Sequence, residues 1–270
     1  EAHRQAGDLY SPWSPEPEQR GDDGGEDRHT PVEHAGEGRV DVLLGEGTNG
    51  VGRGTFAPAV SHSAGFGPHA TALGDFDGDG IVDLAVAARY SSTSVPSMVS
   101  VLLGQGIGGV ATGAFATGQQ LPSAGAPTDV VAGDFNADGV LDLATADYTR
   151  DSVIVRLGRA ACTMEEADGR GLLFAATDLP AAERSVAAVA ADLDSDGVID
   201  LAAAGDTTAG EVAVLLGRNE GGVGGGAFEP PVRFPANREP KDLAVGDFTG
   251  DGILDLAVPN EEYAYVTLLA

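Results

Sequence analysis

Apolar residues in this chain occur in short runs separated by turn residues, and not at helical spacing. Within residues 128–179, four apolar segments lie near 128–135, 141–147, 152–157 and 171–179, with Gly, Pro or Asp between them. Segments of this length, bounded by turn residues, are typical of β-strands and leave no room for an amphipathic helix of about ten residues. The pattern therefore predicts an all-β fold.

Two sequence motifs repeat in phase along the chain. The motif Gly-Asp-Phe-Asp-Gly-Asp-Gly-Ile-Val-Asp-Leu-Ala at 74–85 returns in related form at 133–144, 191–202 and 246–257. The motif Val-x-Val-Leu-Leu-Gly occurs, with small variations, at 40–45, 99–104, 153–158 and 212–217, and ends as Val-Thr-Leu-Leu at 266–269. A period of 55 to 59 residues containing four short antiparallel strands is typical of β-propeller blades, which bury each other's faces.

The first motif contains an acidic loop, Asp-x-Asp-x-Asp-Gly-x-x-Asp, whose residues are numbered here as loop positions 1 to 9. Carboxylates at alternate positions of a tight loop converge, and without a cation their mutual repulsion is strong. Oxygen ligands at positions 1, 3, 5 and 9, with a backbone carbonyl at position 7, suit Ca²⁺, and a Gly at position 6 allows the sharp bend. We therefore expect calcium sites.

The four predicted sites share this arrangement of ligands. Their residues are Asp75, Asp77, Asp79, Ile81 (carbonyl) and Asp83; Asp134, Asn136, Asp138, Val140 (carbonyl) and Asp142; Asp192, Asp194, Asp196, Val198 (carbonyl) and Asp200; and Asp247, Thr249, Asp251, Ile253 (carbonyl) and Asp255. Because a neutral hydroxyl replaces a carboxylate at Thr249, we expect the fourth site to be the weakest.

An EF-hand loop begins with the same spacing but is excluded by two features. An EF-hand requires Glu at loop position 12 and a helix on each side. Position 12 is occupied by Val86, Thr145, Ala203 and Val258, and both flanks of each loop have the pattern of strands. The loops are therefore predicted to be hairpin tips.

These residues resemble the FG-GAP repeats, also described as VCBS repeats, which form the blades of integrin α-subunit propellers and of many bacterial surface and secreted proteins. The resemblance extends over residues 39–270 and rests on Gly-Asp-Phe-x-x-Asp-Gly-x-x-Asp-Leu-Ala in register with Val-x-Val-Leu-Leu-Gly. It implies a β-propeller with calcium in the hairpin between the first two strands of each blade, and partner binding on the opposite face. Ala191 and Leu193 depart from the motif in the third copy.

The number of blades does not follow directly from the sequence. Seventeen strands are predicted, two before the first acidic loop and three in the last unit, which corresponds to four to five blades. Family propellers commonly have seven, so the chain is either a fragment of a larger ring or a small or open array; we favour the fragment. Residues 1–38, rich in acidic residues, Gly and Pro, are predicted to be a disordered leader.

Charge and composition exclude several functions. With 42 acidic and 15 basic residues the net charge is −27, which repels nucleic acid and anionic lipid. No apolar run approaches the ~18 residues of a membrane helix, so membrane insertion is not expected. The single Cys162 excludes an intramolecular disulfide. We find no nucleophile elbow, metalloprotease histidine pair or P-loop, and we expect no enzymatic activity.

The sequence thus favours a calcium-binding module of a secreted or cell-surface protein, used for adhesion or for recognition of a protein or glycan. By resemblance, the ligand would meet the loops that include Arg89, Tyr148, Arg150 and Glu261 to Tyr263. The alternative is the propeller domain of a carbohydrate-active enzyme such as a polysaccharide lyase. The extracellular location rests on calcium and on the resemblance, since no apolar signal core follows Glu1.

Overall fold

A computed structural model describes residues 38–48, 51–89, 96–159, 176–218, 226–262 and 265–270, which belong to one compact unit, Gly36–Ala270. Every element in the described part is a β-strand, and it contains no helix long and apolar enough to cross a bilayer. The predicted leader, apart from Gly38, lies outside the described residues, as does Cys162.

The strands, in chain order, are β1 Arg39–Val42, β2 Gly45–Thr48, β3 Val51–Phe56, β4 Val60–Ser63, β5 Pro68–Gly74, β6 Asp83–Ala88, β7 Met98–Ile107, β8 Val110–Pro122, β9 Pro127–Gly133, β10 Asp142–Asp147, β11 Ser152–Arg156, β12 Thr177–Pro180, β13 Ser185–Ala191, β14 Asp200–Gly205, β15 Glu211–Leu215, β16 Val232–Pro235, β17 Ala244–Gly246, β18 Asp255–Asn260 and β19 Tyr265–Leu269.

Three four-stranded antiparallel sheets follow one another, each with its strands adjacent in chain order: sheet 1 (β5–β8), sheet 2 (β9–β12) and sheet 3 (β13–β16). Sheet 4 has three strands (β17–β19). Two two-stranded sheets precede them, one formed by β1 and β4 and the other by β2 and β3; together they are called the half-sheet here. The predicted all-β architecture of propeller-like sheets is confirmed. Closure into a ring and the number of blades stay predictions.

The second strand of each four-stranded sheet is buried on both faces. All six residues of β6, of β10 and of β14 are buried. Many of them are alanines, and Ala85, Ala144 and Ala203 are fully inaccessible to solvent. Small side chains let adjacent sheets approach closely, which explains how the chain builds a core with 6% aromatic residues.

Each hydrophobic cluster joins two consecutive sheets. The cluster members that define the contacts are Val40 of the half-sheet with Leu84 of sheet 1; Val101 of sheet 1 with Leu143 of sheet 2; Val153 of sheet 2 with Leu201 of sheet 3; and Val212 of sheet 3 with Leu256 of sheet 4. The sheets therefore pack face to face in chain order, as expected for units that bury little apolar surface alone.

The outward face of sheet 4 is apolar and exposed. Phe76 and Phe135, which follow the first Asp of their loops, have exposed fractions of 1% and 0%, whereas the equivalent Phe248 has 52%. Likewise Ile81 and Val198 are buried, whereas Ile253 is exposed. Phe135 is covered by the sheet that follows its own, where it packs edge-on against Phe228 at 6.0 Å between ring centroids. Among the described residues, no sheet covers Phe248 in this way.

Candidate metal centres in the repeated loops

Each acidic loop connects the first strand of a sheet to the second. Loop 1 lies between β5 and β6, loop 2 between β9 and β10, loop 3 between β13 and β14, and loop 4 between β17 and β18. The residues at loop position 12, such as Val86 and Thr145, are buried inside the second strand. The prediction that these are hairpin tips, and not EF-hands, is confirmed.

The carboxylates shape the loops by accepting backbone hydrogen bonds. In loop 1, Asp75 Oδ1 accepts from the N–H of Asp79 at 3.1 Å, and Asp75 Oδ2 accepts from that of Gly80 at 2.8 Å. Asp79 Oδ1 accepts from the N–H of Ile81 at 2.8 Å. Loops 2, 3 and 4 repeat these three bonds at the equivalent atoms. The four loops therefore share one backbone conformation.

Two positions of every loop have left-handed backbone geometry. The glycines at position 6, Gly80, Gly139, Gly197 and Gly252, have φ between 83° and 89°, a region in which glycine carries no steric penalty. The prediction that this glycine permits the bend is confirmed. Position 4 is also left-handed, including Ala137 at 55° and Ser195 at 63°, which the sequence pattern did not indicate.

Loops 1 and 3 each bring three carboxylates together. Ligand atoms of Asp75, Asp77 and Asp83 all lie within 4.8 Å of one another, and so do those of the equivalent residues of loop 3, Asp192, Asp194 and Asp200. The position 5 residues, Asp79 and Asp196, are not members of these groups.

Loops 2 and 4 differ because position 3 is neutral, as Asn136 or Thr249. Among the described residues, neither loop forms a group of three acids. The full ligand sets, including the carbonyls of Ile81, Val140, Val198 and Ile253, stay predictions.

The Asp at position 9 has a second role that sequence analysis missed. Asp83 Oδ2 accepts from the N–H of Phe76 at 2.8 Å, and its Oδ1 accepts from that of Gly104 at 2.7 Å, at the end of the Val-x-Val-Leu-Leu-Gly motif. Asp142 and Asp200 make the equivalent pairs of bonds, with N···O distances of 2.6 to 2.7 Å. One carboxylate therefore connects the loop to the end of the third strand. The sequence signal that could have indicated this contact is the repetition of the two motifs in phase.

Burial disfavours the charged form of three of the position 9 carboxylates. It raises the pKa of Asp83 and of Asp200, and it raises that of Asp142 to about 6, while neighbouring loop acids add repulsion. Burial likewise raises the pKa of Asp77. In contrast, the N–H groups of Gly252 and Gly250 lower the pKa of the exposed Asp247.

The donor chemistry of the loops fits a hard divalent cation. All side-chain donors are oxygens, and each carboxylate has about four lone-pair sites, so Asp83 can hold its two N–H groups and still face an ion. A bound cation would supply the positive charge that the crowded acids lack. Calcium accepts such irregular oxygen sites more readily than Mg²⁺ does.

Two stretches of the chain match known repeat families. Residues 67–102 match the FG-GAP repeat and residues 192–258 match the FG-GAP-like repeat. No curated protein matches the chain. Among solved structures, the crystal structure of the V. cholerae biofilm matrix protein Bap1 is similar, with 18% sequence identity and a TM-score of 0.43 over 86% of this chain and 34% of that chain. The chain thus spans about a third of the length of that protein.

Proposed function

Because the chain carries FG-GAP-type repeats, we propose that it is a calcium-stabilised, non-enzymatic propeller module of a secreted or cell-surface protein, which acts in adhesion or in recognition of a protein or glycan. The observation that carries the calcium assignment is the convergence of Asp75, Asp77 and Asp83 within 4.8 Å, repeated in loop 3. Calcium would neutralise these acids and fasten each first hairpin to its sheet.

The role of the metal in this proposal is structural. Asp83 connects a loop to the third strand, so an ion at the same carboxylate would stabilise the hairpin and the sheet together. Four Ca²⁺ ions would bring the net charge from −27 to −19. Since metal binding to a site that exists only in the folded chain is linked to folding, calcium would raise the free energy of unfolding.

The proposed extracellular location is supported by the proposed metal. Extracellular calcium modules bind with Kd values of about 10⁻⁴–10⁻³ M, which suits the high calcium outside cells. We expect loops 2 and 4, whose position 3 is neutral, to bind calcium in this weaker class.

Equilibrium calcium titration of the full chain tests the sites. We expect three or four sites in the wild type, and one fewer in Asp192→Asn, because that substitution removes the position 1 carboxylate, which all four loops have. Asp178→Asn is the matched control, since Asp178 lies in the outer strand β12 and pairs with Arg150. Loss of a site in both variants, or in neither, would contradict the assignment.

An activity screen on polysaccharides tests the non-enzymatic assignment. We expect no turnover that depends on residues 39–270. Turnover abolished by substitution of a single residue in this range, with the calcium-dependent melting temperature unchanged, would replace the recognition function by the carbohydrate-active alternative.

A further inference from the structure

The repeat places four side chains at equivalent points on the end of the sheets remote from the acidic loops, here called the distal end. Arg89, Tyr148, Asp206 and Glu261 each follow the second strand of their sheet. Each donates its backbone N–H to a carbonyl of the connection that enters the same sheet, at 2.8 to 3.1 Å; the acceptors are Gly67, Ala126, Arg184 and Glu239. These four residues therefore have the same backbone environment and differ in their side chains.

At the distal end of sheets 3 and 4, two cations have carboxylate partners. Lys241 Nζ lies 3.0 Å from Asp206 Oδ1 and 3.1 Å from Glu261 Oε2. Arg238 Nη1 lies 3.1 Å from Glu262 Oε1. Each of these cations thus has a carboxylate partner.

Around Tyr148, where residues from sheets 1, 2 and 3 meet, the distal end is arranged differently. The guanidinium carbon of Arg89 lies 4.7 Å from the centroid of the Tyr148 ring, and that of Arg184 lies 4.6 Å from it. Within the described residues, neither guanidinium forms a salt bridge with a carboxylate. Two guanidinium groups thus lie against one aromatic ring, which attracts their charge, while the described residues provide no hydrogen-bond acceptor for their N–H groups.

Two acids close to Tyr148 in sequence, Asp147 and Asp151, are engaged elsewhere. Asp147 is fully buried, and its Oδ1 accepts from the N–H groups of Ala126 and Thr149. Asp151 Oδ1 accepts from the backbone N–H of Arg184 at 2.8 Å. Arg150, two residues after Tyr148, is paired with Asp178. Within the described residues, the two stacked guanidinium groups therefore have no carboxylate partner and can bind an external anion.

We propose that Arg89, Tyr148 and Arg184 form a binding site for a carboxylate group of an incoming ligand. The inference deepens the recognition function proposed above and rests on it. Guanidinium groups bind carboxylates with two parallel hydrogen bonds, and the ring holds them in place beforehand. Because the remaining surface is strongly acidic, the site favours a ligand that presents an isolated carboxylate over a polyanion.

Titration of the calcium-saturated full chain with D-glucuronate, followed by NMR, tests this site. We expect saturable binding of D-glucuronate and none of the neutral D-glucose. N-acetylglycine, a carboxylate without a sugar ring, distinguishes the source of the group. If it binds as tightly as glucuronate, the site recognises the carboxylate alone; if glucuronate binds more tightly, the site recognises a sugar acid. Absence of saturable binding by either carboxylate overturns the proposal.

Substitutions place the binding at the stack. Arg184→Gln and Arg89→Gln are each expected to weaken binding by roughly ten-fold or more, since each removes a charge-assisted hydrogen-bond donor. Tyr148→Leu is expected to weaken it and Tyr148→Phe to preserve it, because the ring positions the guanidiniums. Arg218→Gln is the matched control, because Arg218 pairs with Glu229 at the opposite end of its sheet, and it should change the affinity less than about two-fold. Equal effects of Arg218→Gln and Arg184→Gln would overturn the assignment.

The calcium-dependent melting temperature of each variant separates this proposal from the proposed function. If calcium stabilises the chain but carboxylates do not bind, the anion site fails and the calcium module stands. If calcium has no effect, the module fails regardless of the carboxylate result.

Discussion

The carboxylate of Asp83 accepts a 2.7 Å hydrogen bond from the backbone N–H of Gly104, 21 residues further along the chain. A Cβ on Gly104 would overlap the carbonyl oxygen of Val82, the residue before Asp83. The glycine is therefore required where the third strand passes the acidic loop. The same overlap occurs at Gly158 with Leu141 and at Gly217 with Ile199.

Gly104→Ala is expected to lower the free energy of unfolding by about 2 kcal/mol, the scale of overpacking in a filled core. Gly45→Ala is the matched control. Gly45 occupies the same position of its motif, but no acidic loop passes it and a Cβ there meets nothing within 4 Å. Urea unfolding in calcium should show a change of less than about 0.5 kcal/mol for the control. Equal losses of stability in both variants would contradict a close contact between Gly104 and the carbonyl of Val82.

Phe135→Ala is expected to cost about 3–5 kcal/mol, because the side chain is fully buried between sheets 2 and 3. Phe248→Ala, at the equivalent position of sheet 4, should cost about 1 kcal/mol or less, since 52% of Phe248 is exposed. Chemical denaturation of the two variants compares them directly. A similar loss at both positions would mean that Phe248 is covered in solution.

Thr249→Asp is expected to raise the calcium affinity of loop 4. The substitution restores the acid that loops 1 and 3 carry at position 3, and roughly ten-fold tighter binding corresponds to about 1.4 kcal/mol of added attraction. Thr177→Asp adds the same charge on the outer strand β12 and should leave the affinity of loop 4 unchanged. Calcium titration distinguishes the two variants, and no gain at Thr249→Asp would remove loop 4 from the calcium sites.

Asp129 on β9 makes stability depend on pH. Burial raises its pKa to about 6, against opposing N–H donors from Ala188 and Val130, and Asp242 adds repulsion. Because the folded pKa exceeds the unfolded value of 3.8, the folded chain binds more protons between pH 4 and about 6. The stabilisation that results from protonation of Asp129 in the folded chain is therefore present below about pH 4 and is lost as the pH rises through about 6.

Asp129→Asn is expected to remove this loss. Relative to the variant, the wild type should lose on the order of 2–3 kcal/mol between pH 4 and pH 7. Urea unfolding across this range measures the difference. Asp178→Asn, at the surface, serves as the control, and parallel pH profiles of wild type and Asp129→Asn would contradict the assignment.

The strands and the loops could be predicted because the sequence patterns that indicate them are local. Strands between Gly, Pro and Asp turns, such as β10, follow from patterns within about ten residues, as does the bend at Gly80. The contact between Asp83 and Gly104 was not predicted, because it depends on the register of two strands. The left-handed Ala137 and Ser195 were missed for another reason, since residue type alone does not indicate that geometry.

The stack of Arg89 and Arg184 on Tyr148 lies beyond such patterns. Its members come from three connections separated by 59 and 36 residues, and only the packing of sheets 1, 2 and 3 brings them together. The sequence did place Arg89 and Tyr148 on the predicted ligand face, but not Arg184. Long-range side-chain contacts of this kind depend on the tertiary structure.

We propose that calcium in the acidic loops stabilises the fold. Thermal unfolding of the full chain in calcium and in chelator tests it most directly. At free calcium of about ten times Kd, each site adds about 1.4 kcal/mol, so three or four sites should raise the melting temperature by roughly 10 °C. An unchanged melting temperature in chelator would contradict the account.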